Sequence, residues 1–166
     1  IGHNTDIAGF ELAIRYAKYD VTNKKVLIVG AGGVTPSIIY ALLKMNCNEI
    51  FVMNRTKEKA EEIKKIFDQI QVINWGEKVN FDLVINTTSV GLKNDNLNLD
   101  LNVTNKMFFD LIYNPIKTPF LEEAEKKGNR TENGLMMFIY QAHQSFVIWN
   151  KVIPKIDEEI IKMLSK

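Results

Sequence analysis

At 166 residues, 46% hydrophobic and 25% charged, the chain has the composition of a soluble globular protein and is long enough to bury a substantial core. A net charge of +1 gives no electrostatic footprint for nucleic acid or an acidic membrane, and no apolar run reaches the length of a membrane span. The single cysteine, Cys47, excludes an internal disulfide framework and fits a reducing, cytoplasmic compartment.

The sequence begins IGHNTD, which sets Asp6 just ahead of the first helix, where a carboxylate gains from the helix dipole. Residues 10–19 (FELAIRYAKY) carry apolar side chains at helical spacing. Residues 24–30 (KKVLIVG) read as a strand ending in glycine, and residues 35–46 (TPSIIYALLKMN) as a helix that tolerates Pro36 only in its first turn. A second strand, 49–54, leads into a charged helix, 56–69. Further strands are expected at 71–75 (QVINW) and 82–88 (DLVINTT), followed by an asparagine-rich surface loop over 92–105. Residues 106–113 (KMFFDLIY) form a fifth strand, and helix 118–128 stops at Gly128. A long apolar helix, 133–150, and an amphipathic helix, 154–166, complete the order. Cys47 reads as a packed thiol beside a buried strand. His143 reads as a surface or capping residue.

Strands alternating with long helices imply right-handed crossovers. The expected class is therefore α/β: a Rossmann-like, doubly wound, mainly parallel sheet of about six strands with helices on both faces. The apolar runs are continuous rather than alternating, as in strands covered on both sides. No repeat or linker divides residues 1–166.

In VLIVGAGGVTPSI, Gly30, Gly32 and Gly33 follow a strand and open a helix. Gly30 permits the tight turn, and Gly32 lets backbone approach a pyrophosphate at the helix N-terminus. Thr35 holds the place of the third glycine of the usual fingerprint. One strand later an NAD site would carry a carboxylate for the ribose hydroxyls. Here the sequence is Met53-Asn54-Arg55-Thr56, with Lys59 one turn further on. A guanidinium grips a 2′-phosphate that an acid would repel, so the expected cofactor is NADP. Only Arg15, Arg55 and Arg130 are available for such a role, against 18 lysines.

GHNTDIAG, GAGGVTPS, NRTKEK, NTTSVG, DLIYNPIKTP and GLMMFIYQ, in that order, resemble the motifs of the shikimate dehydrogenases. These are NADP-dependent oxidoreductases that reduce 3-dehydroshikimate to shikimate in aromatic amino-acid biosynthesis, the chorismate pathway. The resemblance covers essentially the whole chain and implies individual roles. Asp6 corresponds to the aspartate of a catalytic Lys–Asp pair, Asn4 and Thr5 shape its turn, and Gln141 hydrogen-bonds substrate hydroxyls; all four would be substrate-binding positions. Gly30, Ala31, Gly32, Gly33 and Val34 would hold the diphosphate, and Asn54, Arg55, Thr56 and Lys59 the 2′-phosphate. Thr87, Thr88, Ser89 and Val90 would line the cofactor, with Tyr113, Gly134 and Met137 on the nicotinamide side. No metal site is implied.

No lysine of this chain falls in a motif that matches the catalytic one. The expectation is a cofactor domain, residues 1–166, including a hinge and first helix over 1–20 and a last helix over 150–166. A substrate domain bearing the lysine would stand upstream. The isolated chain would then bind NADP without full activity, as a monomer or homodimer. Alternatives are a quinate/shikimate or methylene-tetrahydrofolate dehydrogenase, a non-catalytic NADP-binding module, or a purely structural domain.

Overall fold

The computed structural model describes residues 2–165. Ile1 and Lys166, the outer bounds of the expected domain and of its last helix, lie outside that range. The elements run α1 (Asp6–Tyr16), β1 (Lys25–Val29), α2 (Thr35–Lys44), β2 (Glu49–Met53), α3 (Lys57–Lys64), β3 (Gln71–Ile73) and β4 (Leu83–Asn86). They continue with β5 (Met107–Asp110), α4 (Pro119–Lys126), β6 (Arg130–Glu132), α5 (Leu135–Asn150) and α6 (Glu158–Leu164).

The strands form one sheet in the order β3-β2-β1-β4-β5-β6, with every neighbouring pair parallel. That order belongs to dinucleotide-binding folds, whose ligands lie beyond the carboxyl ends of the strands where the winding reverses, here between β1 and β4. The register fixes which residues share that edge. Val29 is level with Met53 and Asn86, and Asn86 with Asp110. The turns beginning at Gly30, Asn54, Thr87 and Leu111 therefore leave the sheet along one line.

The apolar strands are buried on both faces, as their sequences imply. On β1, Val26 and Ile28 pack into a cluster with residues of α1, α2, α3 and α5. Leu27 and Val29 face the opposite cluster, built with Phe120, Leu121 and Ala124 of α4. No helix of the β4–β5 connection covers that second face. The asparagine-rich segment does so instead: Leu97 is buried and Leu99, Leu101 and Val103 pack beside it. The expected surface loop is thus half lid, with alternate residues turned inward.

Other differences from the sequence reading have local causes. Helix α1 begins at Asp6 rather than near residue 10 because the Asn4 side chain caps it, its Oδ1 accepting from the N–H groups of Asp6 (3.0 Å) and Ile7 (3.4 Å). Asp6 is the first residue of the helix, not a residue ahead of it. The last helix starts later than expected, at Glu158, where the Asp157 carboxylate accepts from Ile160 N–H at 3.0 Å. The sixth strand, Arg-Thr-Glu, carries no apolar pattern; it is an edge strand held by its pairing with Phe108 and its neighbours. Among the described residues no helix is long and apolar enough to cross a membrane.

Candidate functional site

The turn after β1 is held from beneath. Gly30 has φ +119°, and a Cβ there would lie 2.5 Å from Thr87 Oγ1 and 2.9 Å from Thr88 Cγ2. Thr87 Oγ1 is itself fixed, donating to the Val29 carbonyl at 3.1 Å and sharing a hydrogen bond with buried Thr35 at 3.0 Å. Thr35 therefore does more than fill a glycine slot: its hydroxyl ties the helix start to the next strand.

Gly32 and Gly33 are different. Neither lies in the left-handed region, a Cβ at Gly33 would meet nothing within 4 Å, and one at Gly32 only the Thr87 carbonyl at 4.0 Å. Packing within the protein does not demand glycine at either position. The N–H groups of Gly32, Gly33 and Val34 have no protein acceptor among the described residues. Three free donors, the positive end of α2 and space without side chains make a cradle that fits a diphosphate.

Ala31 contributes no free donor, since its N–H is bound by Asn54 Oδ1 at 3.1 Å. Asn54 Nδ2 in turn donates to the Thr56 carbonyl at 2.7 Å. The structure thus makes Asn54 a brace between the glycine turn and the β2–α3 turn, rather than a side chain held out for an anion. Thr56 occupies the N-cap position of α3, yet its hydroxyl makes no capping bond. Arg55 and Lys59 are exposed and form no ion pair among the described residues. The other arginines are elsewhere. Arg130 donates to the Ala17 carbonyl and lies 3.5 Å from Glu132, and Arg15 ends α1. Arg55 is the arginine at the carboxyl edge.

Across the switch point a cleft of about 380 Å³ opens between the turn after β4, the turn after β5 and α5. It gathers Val34, Thr87, Thr88, Ser89, Tyr113, Gly134, Met137 and Gln141, all expected from sequence. Val90 sits in the same turn, its N–H accepted by Thr88 Oγ1 at 3.1 Å, but does not line the cleft. The Tyr113 ring stacks on Phe138, centroids 4.4 Å apart, to form an apolar wall. Gly134 has a packing reason for its identity, because a Cβ would fall 2.0 Å from the Leu111 carbonyl oxygen. Gln141 is half-buried rather than enclosed, and its amide has no partner among the described residues. Leu92, Leu111, Ile112 and Phe138 complete the lining and were not foreseen.

Helices α1 and α5 meet closely at Gly9, where a Cβ would lie 2.9 Å from Gln141 Cβ. Asn4 Nδ2 donates to Ser37 Oγ of α2 at 2.8 Å, and Thr5 Oγ1 pairs with Ser145 Oγ of α5 at 3.1 Å. These bonds place the start of α1 beside α5, one turn beyond Gln141. Asp6 does not line the cleft. Its half-buried carboxylate has neither hydrogen-bond nor ion-pair partner among the described residues, which leaves it available to a cation. His143 bonds the Pro154 carbonyl at 2.9 Å and fixes the chain leaving α5.

Sequence reasoning also missed a buried polar cluster below the cleft, made by Asn86, Asp110 and Thr118. Two signals were present: a lone acid closing the apolar run MFFD, and a Thr-Pro pair of helix-start type.

Sheet order, amide cradle and adjoining cleft define a Rossmann-like domain of the dinucleotide-binding fold class. The family model described as Shikimate / quinate 5-dehydrogenase matches residues 11–111, and the chain belongs to that family. A shikimate dehydrogenase (NADP(+)) of Pelagibacter ubique (strain HTCC1062) is 50% identical over 167 residues, covering 99% of this chain and 63% of that protein. The structure of shikimate dehydrogenase from Aquifex aeolicus superposes with a TM-score of 0.86 at 32% identity, over 99% of this chain and 62% of the other. That from Thermus thermophilus, in complex with NADP(H) and shikimate, gives a TM-score of 0.85 at 29% identity, over 99% and 62%. The chain thus spans a little under two thirds of the length of these relatives.

Proposed function

We propose that this chain is the NADP-binding part of a shikimate dehydrogenase, interconverting 3-dehydroshikimate and shikimate. The observation that carries the reading is the β2–α3 turn: a free guanidinium at Arg55, a free hydroxyl at Thr56 and no acid where an NAD site would have one. The named activity of the Pelagibacter relative and the ligands of the Thermus structure support it.

In this reading the amides of Gly32, Gly33 and Val34 receive the diphosphate. Arg55 grips the 2′-phosphate, with Thr56 donating and Lys59 adding charge. Asn54 and Ala31 keep the two turns at a fixed spacing. When bound, NADPH supplies the hydride that reduces a ketone. Tyr113 and Phe138 exclude water from one wall of the cleft, and Gln141 donates to a substrate hydroxyl. The ketone oxygen of the substrate needs a proton as it is reduced. A lysine supplied by a separate substrate-binding domain delivers it, and Asp6 holds that ammonium in place. The domain 1–166 is then the cofactor half of a two-domain enzyme, acting in a reducing, cytoplasmic setting in keeping with its one packed thiol.

Shikimate-dependent reduction of NADP by the complete enzyme tests this, wild type against Asp6→Asn. Turnover should fall by about 10² or more with NADPH affinity unchanged. Unchanged turnover would remove Asp6 from the reaction, and absence of any shikimate-dependent activity in the wild type would remove the reaction itself.

A further inference from the structure

Beneath the cleft, Asn86 and Asp110 are fully buried and level with one another at the ends of β4 and β5. The Asp110 carboxylate receives three hydrogen bonds. Asn86 Nδ2 (3.1 Å) and the Ile112 N–H (3.0 Å) donate to Oδ1, and the hydroxyl of buried Thr118 (2.6 Å) donates to Oδ2. Asn86 is equally occupied. Its Oδ1 accepts from the Thr88 N–H (3.0 Å) and Oγ1 (2.7 Å), and its Nδ2 also reaches the Val90 carbonyl (3.1 Å).

Burying an acid is costly where an apolar residue would pack as well. Burial pushes the Asp110 carboxyl above the usual range, and the bonds from Thr118, Ile112 and Asn86 oppose it. What the arrangement secures is geometry. One carboxylate ties the 112–113 turn directly, and the 88–90 turn through Asn86, while also holding the N-cap of α4. Those turns are the two walls of the cleft that carry Thr88 and Tyr113. None of these bonds reaches the glycine cradle or the Arg55 turn.

We propose that Asp110 is a positioning residue for the nicotinamide half of the dinucleotide, setting the separation of the 88–90 and 112–113 turns without touching the ligand. The inference rests on the reading of this cleft as the cofactor's.

The test compares two ligands on the 166-residue chain by calorimetry: NADPH, which spans both halves of the site, and adenosine 2′,5′-bisphosphate, which takes only the adenosine half. Asp110→Ala should weaken NADPH by about tenfold and leave the bisphosphate within about twofold. Asp110→Asn, which keeps an oxygen for Asn86 and Ile112, should restore most of the NADPH affinity. Should Asp110→Ala not fold, Thr118→Val carries the same test with one bond lost, and NADPH should weaken by about threefold with the bisphosphate unchanged. Equal losses for both ligands, or lowered thermal stability with neither affinity changed, would reduce Asp110 to a structural residue and overturn the proposal. A wild-type chain that takes the bisphosphate but gains nothing from the nicotinamide half would refute the placing of the cleft. One that binds neither ligand would refute the proposed function, and this inference with it.

Discussion

Gly30→Ala and Gly33→Ala should have opposite consequences, although the two glycines stand three residues apart in one turn. At Gly30 an added methyl meets two penalties. The backbone has φ +119°, a region that costs a side chain about 1–3 kcal/mol. The new Cβ would also lie 2.5 Å from Thr87 Oγ1, which cannot swing away without releasing the Val29 carbonyl and Thr35. Overpacking of that kind costs about 1–3 kcal/mol more. The total, about 2–6 kcal/mol, corresponds to a drop in Tm of roughly 4–24 °C for a domain of this size. At Gly33 a Cβ meets nothing within 4 Å and the backbone is outside the left-handed region. Alanine there should leave stability unchanged or raise it by up to about 1 kcal/mol through the unfolded chain. NADPH affinity should nevertheless fall by about tenfold or more, because the methyl fills space reserved for the diphosphate. Thermal unfolding followed by circular dichroism and a fluorescence titration with NADPH measure both effects. A Gly33→Ala variant that binds NADPH like the wild type would refute the cradle. A Gly30→Ala variant with unchanged Tm would refute the turn geometry.

Two further predictions concern groups away from the site. Burial pushes the Cys47 thiol up to about 11, and its S–H is directed at the Lys24 carbonyl at 3.2 Å. Alkylation by iodoacetamide at about pH 8 should therefore run some 10² times slower than for an exposed thiol, and recover in urea; reaction at the free-thiol rate in the folded protein would contradict the packing. Burial, reinforced by Asp82, pushes the Tyr19 phenol from 10.0 to about 12. A raised value means stability that is fully present below pH 10 and is lost as pH rises toward 12. Tyr19→Phe should flatten that alkaline loss in urea unfolding curves, and an unaltered pH dependence would show the phenol to be solvated.

What the sequence makes legible follows physical range. Strands β1, β2, β4 and β5 announce themselves because each is largely apolar on both faces, and the glycine turn because strand, glycines and helix are contiguous. Arg55 is legible because the alternative, an acid, is visibly missing. Interactions between distant segments are not. Asn54 looks like a phosphate ligand until the fold brings Ala31 beside it. Asp110 and Thr118 look like a strand end and a helix cap until register sets Asn86 against them. Gly134 looks like a cofactor contact, but the Leu111 carbonyl explains it as well. Strand β6 was invisible because an edge strand of Arg-Thr-Glu carries no apolar signal. The 92–105 loop hid its alternate leucines among asparagines, so its lid-like half went unread.

In the proposed function, Arg55 recognises a 2′-phosphate beside an amide cradle. Parallel titrations of wild type and Arg55→Ala with NADPH and NADH test it most directly. The wild-type chain should prefer NADPH, and the variant should lose about 1–3 kcal/mol of NADPH binding while NADH affinity stays within about twofold. Equal losses for both cofactors, or no loss for either, would contradict it.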